Sequence, residues 1–168
     1  MVRIGFGYDV HRLEEGLPLT LGGVLIPGRK GGVGHSDADG LVHALCDALL
    51  GALALGDIGI HFPDTDQQYK GINSLLLLED VMSLVREKGY EVGNADLTLA
   101  LQRPKVAPFI SSMRASLSSA MRVTPEQISV KATTTEGLGL EGREEGFSAY
   151  AVVLLYKKSL LSGKPEYL

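Results

Sequence analysis

The sequence predicts a single α+β domain, a mixed β-sheet with helices packed on one face. Three observations lead there. Segments with strand character and segments of helical period follow one another as β-hairpin, α, α, β, α, β, β. Val152-Val153-Leu154-Leu155-Tyr156 is unbroken by polar residues, as befits a central strand or one buried in a subunit interface. The 168 residues are 45% hydrophobic and 21% charged, with no repeat, linker or low-complexity tract, which suits one soluble core.

Each element has a local reason. Val2 to Tyr8 reads as a short strand, with Asp9 and His11 where it ends. Leu17 to Ile26 reads as a hairpin region turning at Gly22-Gly23. Ser36 opens a helix with Asp39 as the acid of a capping box. Leu41, Val42, Leu45, Leu49, Leu53 and Leu55 continue that helix to about Leu55, and Gly56 ends it. Asp57 to Asp66, with three acids, glycine bends and Pro63, reads as a loop. Asn73 or Ser74 caps a second helix over Leu75 to Lys88, ended by Gly89. Ala95 to Gln102 alternates as a strand, which Arg103-Pro104-Lys105 terminates. Pro108 begins a third helix, and Thr124-Pro125-Glu126-Gln127 caps a short helical turn. Ile128 to Thr134 and Phe147 to Tyr156 are the closing strands, joined by a glycine-rich loop. The domain spans 1–157, leaving 158–168 as a polar, fraying tail.

Composition narrows the function classes. A net charge of -4 with no basic stripe gives no reason to expect nucleic acid. No apolar run reaches the roughly 18 residues of a membrane span. The single cysteine, Cys46, excludes an intrachain disulfide and suits a reducing compartment; its apolar helical setting predicts a buried, inert thiol. A strand beginning at Val2 leaves no room for a leader peptide, so the expected location is the cytoplasm.

Chemistry concentrates near the N-terminus. In an extended backbone Asp9 and His11 point to the same face. With His43 from the first helix they would form a common ligand set for a catalytic zinc with one open position; the alternative is a turn Asp and a surface His. His43 and Asp47 lie one helical turn apart, as a solvated pair or as a metal ligand with its supporting acid. His35 and Ser36 fall at the expected helix N-terminus, where unpaired N–H groups favour an anion such as phosphate. Thr133, Thr134, Thr135 and Glu136 leave a strand with hydroxyls for phosphate oxygens and a carboxylate for Mg2+, although plain β-propensity also explains a threonine run. Lys105 is either a phosphate ligand or an exposed lysine. Arg143, Glu144 and Glu145 read as surface charges or an ion pair at a subunit contact. There is no P-loop and no nucleophilic triad.

Five blocks together carry a resemblance. They are Gly5-Phe6-Gly7-Tyr8-Asp9-Val10-His11; His35-Ser36-Asp37-x-Asp39; His43-Ala44-Leu45-x-Asp47-Ala48-Leu49-Leu50-Gly51-Ala52; Gly56-Asp57-Ile58-Gly59-x-x-Phe62-Pro63-Asp64-Thr65-Asp66; and Lys131-Ala132-Thr133-Thr134-Thr135-Glu136. In this order and spacing, over about the first 157 positions, the chain resembles the 2-C-methyl-D-erythritol 2,4-cyclodiphosphate synthase family. The resemblance implies cyclisation of 4-diphosphocytidyl-2-C-methyl-D-erythritol 2-phosphate with release of CMP, in a homotrimer with active sites between subunits. It implies Asp9, His11 and His43 as zinc ligands, with His35 and Thr134 as transition-state stabilisers. Asp9, His11, His35 and Ser36 would also meet the substrate. Asp57 and Gly59 would meet the erythritol, beside a loop of Phe62, Pro63, Asp64, Thr65 and Asp66. Leu101, Pro104, Lys105, Val106 and Ala107, with Thr133, Thr134, Thr135 and Glu136, would receive the cytidyl diphosphate. Glu136 would hold a second divalent cation, Mg2+ or Mn2+, and Leu140 and Arg143 would be further substrate contacts. His61 is given no role. Two rival readings are a trimeric binding protein with structural zinc and a zinc-dependent phosphoesterase.

Overall fold

The computed structural model describes residues 1–158; the predicted tail beyond Lys158 lies outside the described residues. Among the described residues, seven strands and five α-helices follow the predicted order, with additions: β1 Val2–Glu15, β2 Leu19–Leu21, β3 Val24–Ile26, β4 Lys30–Gly32, α1 Gly40–Ala52, α2 Ile58–His61, α3 Ser74–Glu87, β5 Tyr90–Ala100, α4 Ile110–Met121, β6 Ile128–Thr133, α5 Gly139–Gly142 and β7 Gly146–Lys157. A five-stranded sheet runs in the order β4-β1-β7-β5-β6, while β2 and β3 form a separate hairpin. β5 and β6 are parallel; the other pairs are antiparallel. The sheet is therefore mixed, and the apolar run Val152–Tyr156 is in its central strand.

β1 is longer than predicted. Pairing with β7 continues from Val2↔Tyr156 through Asp9↔Ala149 and His11↔Phe147, so the Asp and the His lie inside the strand, not past its end. Gly7, Asp9, His11 and Leu13 alternate onto the face under α1, while Ile4, Phe6, Tyr8 and Val10 face outward. That outward face is bare: Ile4 is 70% exposed, Phe6 62% and Val152 44%.

α1 is the hub of the core and packs on β1, β7 and α3. All of Gly40–Ala52 is buried except His43, Asp47 and Gly51, spaced four apart on one stripe. Its start differs from the expectation at Ser36. Asp39 is the N-cap: its Oδ1 accepts from Val42 N at 3.1 Å, and its two oxygens accept from the N–H groups of Gly22 at 2.9 Å and Gly23 at 2.6 Å. The cap is thus shared with a hairpin turn remote in sequence. Burial pushes the Asp39 carboxyl up to about 6, against the N–H bonds that favour its charge. α1 also ends earlier than Leu55, at Ala52, because the chain turns with Ala54 and Gly56 at positive φ. Asn73 caps α3 as expected, and Thr124 and Gln127 form a reciprocal capping box. Cys46 is fully buried in α1. Among the described residues no helix is long and apolar enough to cross a membrane.

Candidate active site

β1 and α1 bring three ligand atoms to one point. Asp9 Oδ2 lies 3.0 Å from His11 Nε2 and 3.1 Å from His43 Nδ1, and the two ring nitrogens are 3.2 Å apart. Two neighbours set the rings. His11 Nδ1 donates to the Val33 carbonyl at 2.8 Å, and the His11 ring stacks on Phe147. With Nδ1 carrying the proton, a neutral His11 turns its Nε2 lone pair toward Asp9. An imidazole lone pair and a carboxylate oxygen at 3 Å repel unless a cation sits between them. A proton is one such cation. Burial opposes charge at both groups, but their mutual hydrogen bonding wins: the Asp9 carboxyl is held well below the usual range and the His11 imidazolium is favoured.

A metal ion is the other. Donors about 2.0–2.1 Å from a tetrahedral zinc stand about 3.3–3.4 Å apart, close to the spacing seen here. Among the described residues Asp9, His11 and His43 are the one group of three such ligands. One carboxylate and two imidazoles, with no fourth protein ligand grouped with them, suit a metal that keeps an open position. The donor set fits.

Beside the triad lies a cavity of about 340 Å³ lined by His11, His35, Ser36, His43, Gly59, Phe62 and Asp64, together with Ile58, Tyr69, Ile72 and Leu77. His35 Nε2 is buried there without a hydrogen-bond partner. An unpaired buried ring nitrogen is costly in isolation and ready for a ligand. The expected anion site at a helix start, however, is not there. His35 and Ser36 precede the helix, and at its true start the N–H of Val42 is taken by the Asp39 carboxylate, with those of Gly40 and His43 on the Ala38 and Asp39 carbonyls.

The loop residues are arranged by their own acids. Asp57 caps α2, accepting from Ile60 N at 3.0 Å, and Asp66 caps a turn at Gln67–Tyr69. Pro63 and Thr65 join these two turns. Asp47 accepts from Ile58 N at 2.7 Å, so it positions α2 instead of hydrogen-bonding His43. His61 Nε2 bonds the Leu55 carbonyl.

The remaining predicted residues gather elsewhere. A second cavity of about 800 Å³ is lined by Pro104 and Lys105 with Glu15, Gly28, Arg29, Lys30, Gln102, Arg103 and Glu144. Leu101 and Val106 are core residues, so they can meet a ligand only through their main chain; Ala107 is exposed. Thr133 to Glu136, Leu140 and Arg143 line neither cavity. Thr134 donates to Glu136 Oε1 at 2.9 Å, and Glu136 holds a positive φ of 54°. Arg143 pairs with Glu145 within the chain. One chain thus carries two cavities with different linings, and of the two predicted stabilisers His35 lines the first while Thr134 lines neither.

Sequence reasoning missed four contributors: Arg29 and Lys30 at the second cavity, and Asp37 and Ser74 behind His43. Ser74 was visible only as a possible helix cap; nothing local ties it to His43.

Comparison with known proteins follows the same lines. A model described as the YgbB family matches residues 2–156. A protein of Desulfitobacterium hafniense (strain DSM 10664 / DCB-2) named 2-C-methyl-D-erythritol 2,4-cyclodiphosphate synthase is 60% identical over 157 residues, covering 94% of this chain and 99% of that one. A solved synthase of that name in a CDP-bound form shares the fold with a TM-score of 0.85 at 47% identity, covering 92% of this chain and 100% of the other. The bifunctional IspDF of Campylobacter jejuni gives a TM-score of 0.90 at 42% identity, over 95% of this chain. This chain spans 44% of that longer protein.

Proposed function

Given that the chain belongs to the YgbB family, whose members include the 2-C-methyl-D-erythritol 2,4-cyclodiphosphate synthases, we propose how its residues carry the family's reaction. That reaction turns 4-diphosphocytidyl-2-C-methyl-D-erythritol 2-phosphate into 2-C-methyl-D-erythritol 2,4-cyclodiphosphate and CMP, in the non-mevalonate route to isoprenoid precursors. The observation that carries the site reading is the meeting of Asp9, His11 and His43 beside an unpaired His35.

An oxygen of the substrate's own 2-phosphate forms the new bond to the β-phosphorus, and the bond from that phosphorus to the CMP oxygen breaks. No protein nucleophile is needed, so the chain's task is alignment of the entering and leaving oxygens and compensation of charge. Asp9, His11 and His43 would hold a zinc ion, and Glu136 would hold Mg2+ or Mn2+. When bound, these cations supply Lewis acidity that offsets repulsion between the phosphates. His35 would present its unpartnered Nε2, and Thr134 its hydroxyl once released from Glu136, to the oxygens on which charge grows. Asp57 and Gly59 hold the erythritol end beside the loop Phe62 to Asp66, and Ser36 is a further substrate contact. Leu101 to Ala107, with Thr133 to Glu136, take the cytidyl diphosphate, and Leu140 and Arg143 close the site.

The working unit is a homotrimer in the cytoplasm. Two features support assembly: the bare apolar face of β1 and β7, and the absence of Thr133 to Glu136, Leu140 and Arg143 from both cavities of the single chain. Packing copies through that face would let residues of one chain complete the site of the next.

Phosphorus NMR of the protein with substrate, with and without chelator, tests the reading. Expected is a cyclic diphosphate and CMP, both abolished by chelation. A linear phosphate carrying solvent oxygen would instead make this a phosphoesterase, and unaltered substrate a binding protein.

A further inference from the structure

Behind His43, on the side away from Asp9, runs a chain of hydrogen bonds from the ring through Ser74 to the Asp37 carboxylate. His43 Nε2 lies 2.9 Å from Ser74 Oγ and 3.1 Å from Ser36 Oγ. Ser74 Oγ is 2.5 Å from Asp37 Oδ1, while the Ser74 backbone N–H donates to Asp37 Oδ2 at 3.0 Å. Asp37 Oδ1 also faces Asp39 N at 3.3 Å. Ser74 is fully buried at the first turn of α3.

A carboxylate that accepts on both oxygens takes the one hydroxyl proton Ser74 has. Toward His43, Ser74 Oγ can then only accept. A lone pair on Nε2 would face that oxygen acceptor to acceptor at 2.9 Å, whereas an Nε2–H satisfies it and leaves the Ser36 hydroxyl, 3.1 Å from Nε2, to donate to Ser74 Oγ at 3.4 Å; the shorter contact assigns the ring proton to Nε2. The lone pair of the neutral ring is consequently on Nδ1, the atom in the triangle with Asp9 and His11.

We propose that Asp37 and Ser74 are positioning residues that fix His43 as its Nε2–H tautomer and aim Nδ1 at the metal. The relay rests on the metal-site reading above but concerns residues outside it. It also links the ligand to α3, since Asp37 N donates to the Ile72 carbonyl at 3.1 Å just before that helix. Partners that orient a ligating imidazole typically contribute 10–100-fold to metal affinity.

The test combines zinc affinity, by competition with a chromophoric chelator, and the His43 tautomer, by long-range proton–nitrogen NMR of histidine-labelled full-length protein. Ser74→Ala is expected to weaken zinc about 10–100-fold. Asp37→Asn lets the chain reverse, because the amide can donate to Ser74 and Ser74 to Nε2; a Nδ1–H population should appear at a pH where the ring is neutral. Asn73→Ala serves as control, since it removes the α3 cap, where Asn73 accepts from Leu75 N, without touching His43. It should lower stability and leave zinc affinity and tautomer as they were.

Wild-type affinity in Ser74→Ala would overturn the proposal, as would a proton on Nδ1 in the chelator-treated wild type. Should Ser74→Ala fail to fold, the wild-type and Asp37→Asn spectra decide alone. Failure of the wild type to bind zinc would count against the metal site, and the spectra would still judge the relay.

Discussion

Gly7 and Ala44 meet backbone to backbone: a Cβ on Gly7 would overlap the carbonyl oxygen of Ala44. Gly5 stands in the same relation to Ala48, one turn along α1. Two glycines on the inward face of β1 therefore let a helix lie directly on the strand. His43 precedes Ala44, and Asp9 follows Gly7 by two residues on the same face, so this close approach brings Asp9 and His43 together.

Gly7→Ala must push α1 off the sheet. Overpacking of this kind costs about 1–3 kcal/mol, and here the obstacle is backbone, which cannot rotate away. Denaturant titration should show that loss, and chelator competition should show weaker zinc binding in the folded fraction. An undisturbed zinc affinity would mean that ligand convergence does not depend on this contact.

His43→Ala removes one of three ligands. Zinc content by elemental analysis should fall from one per chain to none. CMP release should fall with it, by more than the roughly 100-fold that loss of an outer partner costs. Turnover by a demonstrably zinc-free variant would refute the assigned role.

Phe6→Lys places a charge in the middle of the bare sheet face, where Phe6 pairs with Val152. Burying an unpaired ammonium is prohibitive, so assembly should fail. Sedimentation velocity should show single chains that bind zinc but do not cyclise substrate. An active single chain would remove the need for a shared site.

In protein stripped of metal, Asp9 and His11 stabilise the fold only when both are charged. Asp9 is depressed from 3.8, so its share is present above 3.8 and is lost as pH falls toward its folded value. His11 is raised from 6.5, so its share is complete below 6.5 and is lost as pH rises through its folded value. The stability difference between wild type and Asp9→Asn should therefore be greatest between pH 3.8 and 6.5. Urea melts across pH check this; a difference that grows above neutrality would contradict the sign.

Much of the fold was legible because local rules suffice for it. Helix α3, its Asn73 cap, the Thr124–Gln127 capping box and the strand Ile128–Thr133 obey short-range signals, and the structure keeps them nearly residue for residue. Three misreadings share one cause. β1 outruns Tyr8 because β7 supplies hydrogen bonds as far as Gly146. α1 starts at Gly40, not Ser36, because Asp39 finds extra donors on the Gly22-Gly23 turn. Asp47 serves α2 because Ile58 returns to it. Each partner is remote in the chain, and no window of neighbours contains it.

The amino-acid order alone determined which side chains are available: an Asp and a His sharing one face of a strand, a second His on a helix, hydroxyls and an acid after Lys131. Alternation and helical period are properties of the local backbone, so they can be read from a string. Whether Oδ2, Nε2 and Nδ1 close to within 3.2 Å was decided by tertiary packing. So was the placing of His35 and of Lys105 in different cavities. Those distances depend on how α1 is seated on β1, and that seating depends on backbone approach and shared caps between segments far apart in the chain.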